Sequence, residues 1–193
     1  MDISCYGRRG IATIAGNHDM KVRALPQISN EKLAETGIEY AYHIIEEENR
    51  IYLLTLPSHI KLEFKLNGQK INLLMVHGSP RKVDEYVLEN TESKYVSELM
   101  SEADANILCV GHSHLPYHRI ISQDLQVINI GSVGKPKDRN PKGCYVILTI
   151  NDSAVNPIKV EFIRFDYDIE KAAKGIEDSP LPDELAERLR KAF

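Results

Sequence analysis

At 193 residues the chain is long enough for one domain with a real core and short for two. A formal net charge of −4, with 42% hydrophobic and 27% charged residues, is ordinary for a soluble globular protein and gives no nucleic-acid or acidic-membrane surface. No apolar run approaches bilayer length, "MDISCYGRRG" lacks a signal-peptide core, and three scattered cysteines (Cys5, Cys109, Cys144) suit a reduced, cytoplasmic compartment.

In chain order, residues 11–15 (IATIA) read as a short buried strand running into Gly16-Asn17-His18-Asp19. A helix is expected next, with Asn30 as N-cap, Leu33 and Ala34 inward and Gly37 as its C-terminal stop. Residues 39–76 are rich in β-branched, aromatic and leucine side chains and predict antiparallel sheet, with Asn67-Gly68 as a type I′ hairpin turn. "EEE" at 46–48 reads as a solvated turn. "LLMV" runs into His77-Gly78-Ser79-Pro80, and Val96, Leu99 and Met100 at i, i+3 and i+4 predict a helix over about 92–102. "NILCV" is a strand ending at Gly111-His112-Ser113-His114, and "QVINI" one ending at Gly131-Ser132-Val133-Gly134. "CYVILTI" and "IKVEFIRF" predict a closing strand pair. Asp168 caps a helix through Ala172, Ala173 and Ile176, and Pro182-Asp183-Glu184 opens a last helix that ends basic. No repeat or linker divides the chain, so residues 1–193 form a single domain.

Four buried strands each end in a polar cluster, and three of them deliver potential metal ligands. Ligands gather at the carboxyl ends of strands in α/β sheets, so Asn17, His77, His112 and His114 can meet although far apart in sequence. Imidazole and amide oxygen suit borderline first-row cations. His112 and His114 are two apart, and an extended segment would face both the same way.

"GNHD", "VHGSP", "GHSHLP" and "NIGSVGKPKDRNP", in that order, resemble the second half of the calcineurin-like metallophosphoesterases, in their small prokaryotic phosphodiesterase-like branch. The tail from "FDYDIEKAAKG" onward resembles that branch's ending too. The resemblance implies an αββα sandwich of mixed sheets with flanking helices, N-terminally truncated, and a phosphate-ester substrate. It implies a dinuclear site for divalent metal ions (Mn, Ni, Fe or Zn), with Asn17, His77 and His112 on one metal and His114 on the other. By the same resemblance His18 protonates or stabilises the leaving oxygen and Asp19 holds its ring. Two cations would polarise the phosphoryl group, and a positioned imidazole would assist the leaving alkoxide.

The family opens with strands ending in D-x-H and G-D, which supply carboxylates to both metals. Residues 1–16 contain neither motif: Asp2 has no histidine two residues on, and "CYGRRG" holds no carboxylate. The expectation is therefore a portion of a longer protein, with Met1 inside it, and weak or absent catalysis from these residues alone. A truncated pseudoenzyme, or completion of the sheet by another chain, is the competing account. The alternative function is a catalytically inactive binding or scaffold protein, for which a retromer subunit of the superfamily is a precedent. A metallo-β-lactamase-type H-x-H site is set aside because Pro116 stands where that family needs an aspartate.

His43, His59 and His118 fit no motif and read as surface or packed histidines. "KPKDRNPK", with Lys135, Lys137, Arg139 and Lys142, reads as a solvated basic loop, with phosphate attraction as its functional alternative. Ser79 and Ser132 lack a neighbouring base for nucleophilic catalysis and read as loop-shaping residues.

Overall fold

The computed structural model describes residues 10–24, 37–152 and 156–193. Three helices come first, α1 (Asn17–Ala24), α2 (Gly37–Ile44) and α3 (Glu47–Thr55). The hairpin β1 (His59–Leu66) and β2 (Gln69–Val76) follows, then α4 (Ser93–Glu102), β3 (Ile107–Val110), β4 (Tyr117–Ser122) and β5 (Leu125–Asn129). The strand pair β6 (Gly143–Ile150) and β7 (Ile158–Phe165) precedes α5 (Ile169–Glu177) and α6 (Glu184–Lys191).

Five strands form one mixed sheet in the order β1-β2-β3-β5-β4, and β6 pairs with β7 alone. At the centre, β2, β3 and β5 run parallel, so their carboxyl ends lie along one rim. The β1–β2 register is antiparallel and unbroken from His59↔Val76 to Leu66↔Gln69. Asn67 (φ 49°) and Gly68 (φ 80°) close it with both central residues left-handed, the I′ geometry that matches strand twist. Asp168 caps α5 as expected, its Oδ1 accepting from Lys171 N–H at 2.9 Å.

The alternation of the strands divides the core. Leu74, Val76, Leu108, Val110 and Val127 point to α4 and meet Val96, Leu99 and Met100. Leu73, Ile107 and Ile128 point the other way and pack on β6 and β7 through Val146, Leu148, Val160 and Phe162. Two sheets therefore face each other, with helix α4 outside the larger one, the flanked sandwich that the family resemblance implied.

Four expectations need correction. Residues 39–56 are helical, not sheet: Ala41, Tyr42 and Ile45 pack on Tyr52, Leu53 and Leu56, a helical spacing forming its own small cluster. Glu46 is the N-cap of α3 and Glu47 and Glu48 lie in its first turn, where the helix dipole favours acids, so "EEE" is a helix start. Gly37 opens α2 instead of ending a helix, while Asn30, Leu33 and Ala34 lie outside the described residues. Residues 11–15 form no strand; Ala15 N–H donates to the Pro57 carbonyl at 2.8 Å, away from any ladder. Strand β4, unforeseen, pairs with β5 and anchors the segment between β2 and α4 through Tyr117 Oη–H on the Val87 carbonyl, 2.7 Å.

Leu108 is fully buried at the centre of the larger sheet. Leu108→Ala is expected to cost about 2–5 kcal/mol, read as a lowered urea midpoint with an unchanged slope.

Candidate metal centre

His77 is the first residue beyond β2, and Gly111-His112-Ser113-His114 begins immediately after β3. Gly111 N–H donates to the His77 carbonyl at 2.9 Å, so the two turns stay side by side past the ends of their strands. The H-x-H segment is not extended: His112 has φ 56° and His114 φ 62°, and Ser113 N–H closes back on the Gly111 carbonyl at 2.6 Å. The two imidazoles therefore do not share a strand face, which corrects that expectation. Buried Asn129, at the end of β5, braces the turn: its Nδ2 donates to Gly111 O and Ser113 Oγ, each 2.9 Å, while its Oδ1 accepts from Gly131 N–H at 3.0 Å.

Asn17, His18 and Asp19 are the first three residues of α1. Asp19 Oδ2 accepts from Gly16 N–H at 2.7 Å, and the Gly16 carbonyl takes the first helical bond from Met20, 3.1 Å. This is the acidic half of a capping box, so the hydrogen bond that Asp19 makes goes to the helix start and its effect on His18 is electrostatic. Gly16 is small for a second reason: a Cβ there would meet the His77 ring at 3.1 Å.

The helix start meets the β2 turn at one bond. His77 Nε2 and Asn17 Oδ1 are 3.0 Å apart, and the His77 and His112 rings stand edge to face with centroids 5.1 Å apart. Tyr86 stacks on the other side of His112 at 4.3 Å. His114 Nδ1–H donates to the Lys135 carbonyl at 2.6 Å, which fixes its tautomer and leaves Nε2 as a free lone pair.

Burial, with His112 alongside, lowers the His77 pKa to about 4, so its imidazole is neutral at pH 7. Burial first, and nearby lysines second, also lower His18 and His114; His112 is lowered by burial, partly offset by Asp84. Neutral imidazoles and an amide oxygen are the donor set that borderline divalent cations accept. Two ligands at right angles, each about 2.1 Å from one cation, stand about 3.0 Å apart, the separation of Asn17 Oδ1 and His77 Nε2. These residues thus fit part of one cation's shell. Among the described residues no three His, Cys, Asp or Glu side chains form a group able to hold a metal, so a two-cation centre is not assembled from them alone.

His43 (on α2), His59 (opening β1) and His118 (on β4) stand outside this cluster; His59 Nδ1 meets Ser58 Oγ at 3.1 Å and His118 Nε2 meets Gln126 Oε1 at 2.8 Å. Ser79 shapes its loop as expected, its Oγ accepting from Arg81 and Lys82 N–H and donating to Glu85. Sequence reasoning missed Asn129 and Tyr86. Asn129, placed between an apolar strand and Gly131, carried a usable signal; Tyr86 carried none.

Residues 3–153 match the sequence profile of the calcineurin-like phosphoesterase superfamily domain. An uncharacterized protein of Methanocaldococcus jannaschii is 30% identical over 205 residues, which cover 97% of this chain and 76% of that protein. The fold is similar to that of a metallophosphoesterase from Sphaerobacter thermophilus (TM-score 0.73, 23% identity, 93% of this chain and 76% of that one). It is similar also to a hypothetical protein from Pyrococcus horikoshii OT3 (TM-score 0.75, 22% identity, 97% and 75%). No helix among the described residues is long and apolar enough to cross a membrane.

The depressed His77 pKa has a consequence for the metal-free chain. Between about pH 6.5 and 4 the unfolded state binds the His77 proton and the folded state does not, so stability falls as pH falls through that window. In urea titrations at pH 7, 5.5 and 4.5, His77→Gln is expected to flatten this part of the wild-type loss.

Proposed function

The chain belongs to the calcineurin-like phosphoesterase superfamily, which points to metal-dependent phosphoester hydrolysis, and on that premise we propose a phosphodiesterase site built on the histidine cluster. Asn17, His77 and His112 hold one divalent cation, and His114, with its Nε2 free, serves a second. The cation supplies Lewis-acid polarisation of the phosphoryl group when bound. The observation that carries the reading is the convergence of Asn17 Oδ1 and His77 Nε2, at 3.0 Å, from elements 60 residues apart in sequence.

The chain's own residues divide the work. His77 stays neutral in its buried place, so turning Nε2 from donor to Asn17 Oδ1 into a cation ligand needs only a shift of its proton to Nδ1, with no net charge to lose from the ring. His114 is oriented by the Lys135 carbonyl. His18, exposed at the helix start, is positioned to give a proton to the leaving alkoxide, and Asp19 favours its protonated form through space. The proton donor must be charged, and the His18 pKa lies below its ordinary 6.5, so kcat/KM should fall as pH rises through that lowered value.

A second reading, a binding module without turnover, draws on the fact that no three His, Cys, Asp or Glu side chains among the described residues form a metal-holding group. Metal dependence separates the two. With bis(p-nitrophenyl) phosphate and Mn²⁺ or Ni²⁺, turnover is expected to be low, to vanish on chelation and in His77→Ala, and to drop roughly 10²–10⁴-fold in His18→Ala. His18→Ala should also remove the descending basic limb of kcat/KM. Turnover that survives chelation would end the metallophosphoesterase reading of this site, and zinc titration that shows no binding would favour the silent module.

A further inference from the structure

The candidate ligand imidazoles are each held in a different way. His77 Nε2 meets Asn17 Oδ1 at 3.0 Å, and His114 Nδ1–H donates to the Lys135 carbonyl at 2.6 Å. His112 stands on a left-handed backbone, φ 56°, and its ring lies between two others. The His77 ring meets it edge to face at 5.1 Å, with 60° between the planes. The Tyr86 ring covers it at 4.3 Å, with 24° between the planes, a stacked contact of the kind that aromatic pairs favour.

Tyr86 is placed there by its neighbours. The Glu85 carboxylate accepts from Ser79 Oγ–H and Tyr95 Oη–H, which ties the loop to the turn after β2 and to α4. Val87 is buried, and its carbonyl accepts from Tyr117 Oη–H of β4 at 2.7 Å. Leu88 N–H closes on Thr91 Oγ1 at 2.8 Å, and Arg119 donates to the Glu89 carbonyl at 2.9 Å. Between these anchors Tyr86 is 52% exposed. The loop is thus fastened without the Tyr86 ring, which belongs to neither of the clusters that fill the two faces of the larger sheet. A ring half in water gains little from burial, and its one ring contact among the described residues is His112. Packing alone gives no reason for an aromatic side chain at this place.

A histidine that ligates a cation must keep its ring in one orientation, and a ring already held there gives up less freedom on binding. His77 and His114 have side-chain hydrogen bonds for this purpose. At His112 the flat face of Tyr86 does the same, assisted by a hydrogen bond to the backbone of Asp84 in the same loop. We propose that Tyr86 is a positioning residue, whose ring holds the His112 imidazole in the orientation that completes the shell begun by Asn17 and His77. This rests on reading His112 as a ligand of the proposed cation, and it gives the anchored loop after β2 the task of fixing that ligand.

The test has two readouts, neither of them turnover. In nuclear magnetic resonance spectra of the metal-free chain at neutral pH, carrying isotope-labelled histidine, Tyr86→Ala is expected to shift the ring signals of His112 and to leave those of His114 in place. The His112 signals are identified by their loss in His112→Gln. In calorimetric titrations with zinc, Tyr86→Ala should bind roughly five- to tenfold more weakly than wild type, the worth of one stacked aromatic pair. Tyr86→Phe keeps the flat ring and should match wild type in both readouts. Tyr86→Leu keeps apolar bulk without the ring; it should behave as the alanine variant does, and replaces it if that variant does not fold by circular dichroism. The urea midpoint of Tyr86→Ala should stay at the wild-type value, since residues 85 and 87 anchor the loop. Zinc affinity that does not respond to Tyr86→Ala, a loss that Tyr86→Phe fails to restore, or full binding by Tyr86→Leu overturns the proposal and leaves the metal reading standing. Wild type that binds no zinc overturns the metal reading, and this proposal with it.

Discussion

The 2.9 Å bond from Gly111 N–H to the His77 carbonyl extends the β2–β3 ladder one step beyond its strands, and the candidate centre is assembled around that step. Parallel pairing alone would align the strand ends; this bond keeps the two turns in register after the strands have stopped. The parallel β3–β5 pairing adds a third partner in the same way, with Ile130 N–H on the Val110 carbonyl at 2.9 Å and Asn129 inserted beneath the H-x-H turn. Helix α1 approaches from the other side, and Gly16 leaves the space that lets it reach the His77 ring. Core packing on both faces of the sheet fixes these ends, so the geometry of the site is a consequence of the hydrophobic core.

The electrostatics of the cluster follow from that placement. Imidazoles held against one another in partial burial cannot all be charged, and His77 is the most strongly neutralised of them. The surrounding charges are of both signs: Lys21, Lys135 and Lys137 act on the imidazoles, and so do Asp84 at His112 and Asp19 at His18 and His77, while Asp138 is turned to Arg164. The result is a set of neutral donors inside a rim of mixed charge.

Much of this was legible in the sequence because the relevant signals are local. Asn67-Gly68, the Val96-Leu99-Met100 spacing, the short apolar runs before His77 and Gly111, and the Asp168 cap each dictate their own structure. The histidine motifs at strand ends were legible for the same reason, since a strand's polarity says where its carboxyl end must lie. Residues 39–56 were not. Their β-branched and aromatic content argued for strands, but Tyr42 and Leu53 bury against each other only as helices, and that tertiary pairing overrode propensity. The helix start at Asn17 was hidden because its cap is reversed, with Asp19 reaching back to Gly16 instead of a side chain reaching forward. The pairing of Asp138 was hidden as well, since nothing nearby in sequence reveals that it turns toward Arg164, 26 residues away.

The left-handed backbone at His112 and His114 sets these two positions apart from the rest of the centre. A non-glycine residue there carries strain of roughly 1–3 kcal/mol, which glycine would relieve and a β-branched residue would aggravate. Selection for stability alone would therefore drive both positions away from histidine. Histidine stands at both positions against the preference of its own backbone, so the turn after β3 is the part of the candidate centre that the fold itself least favours.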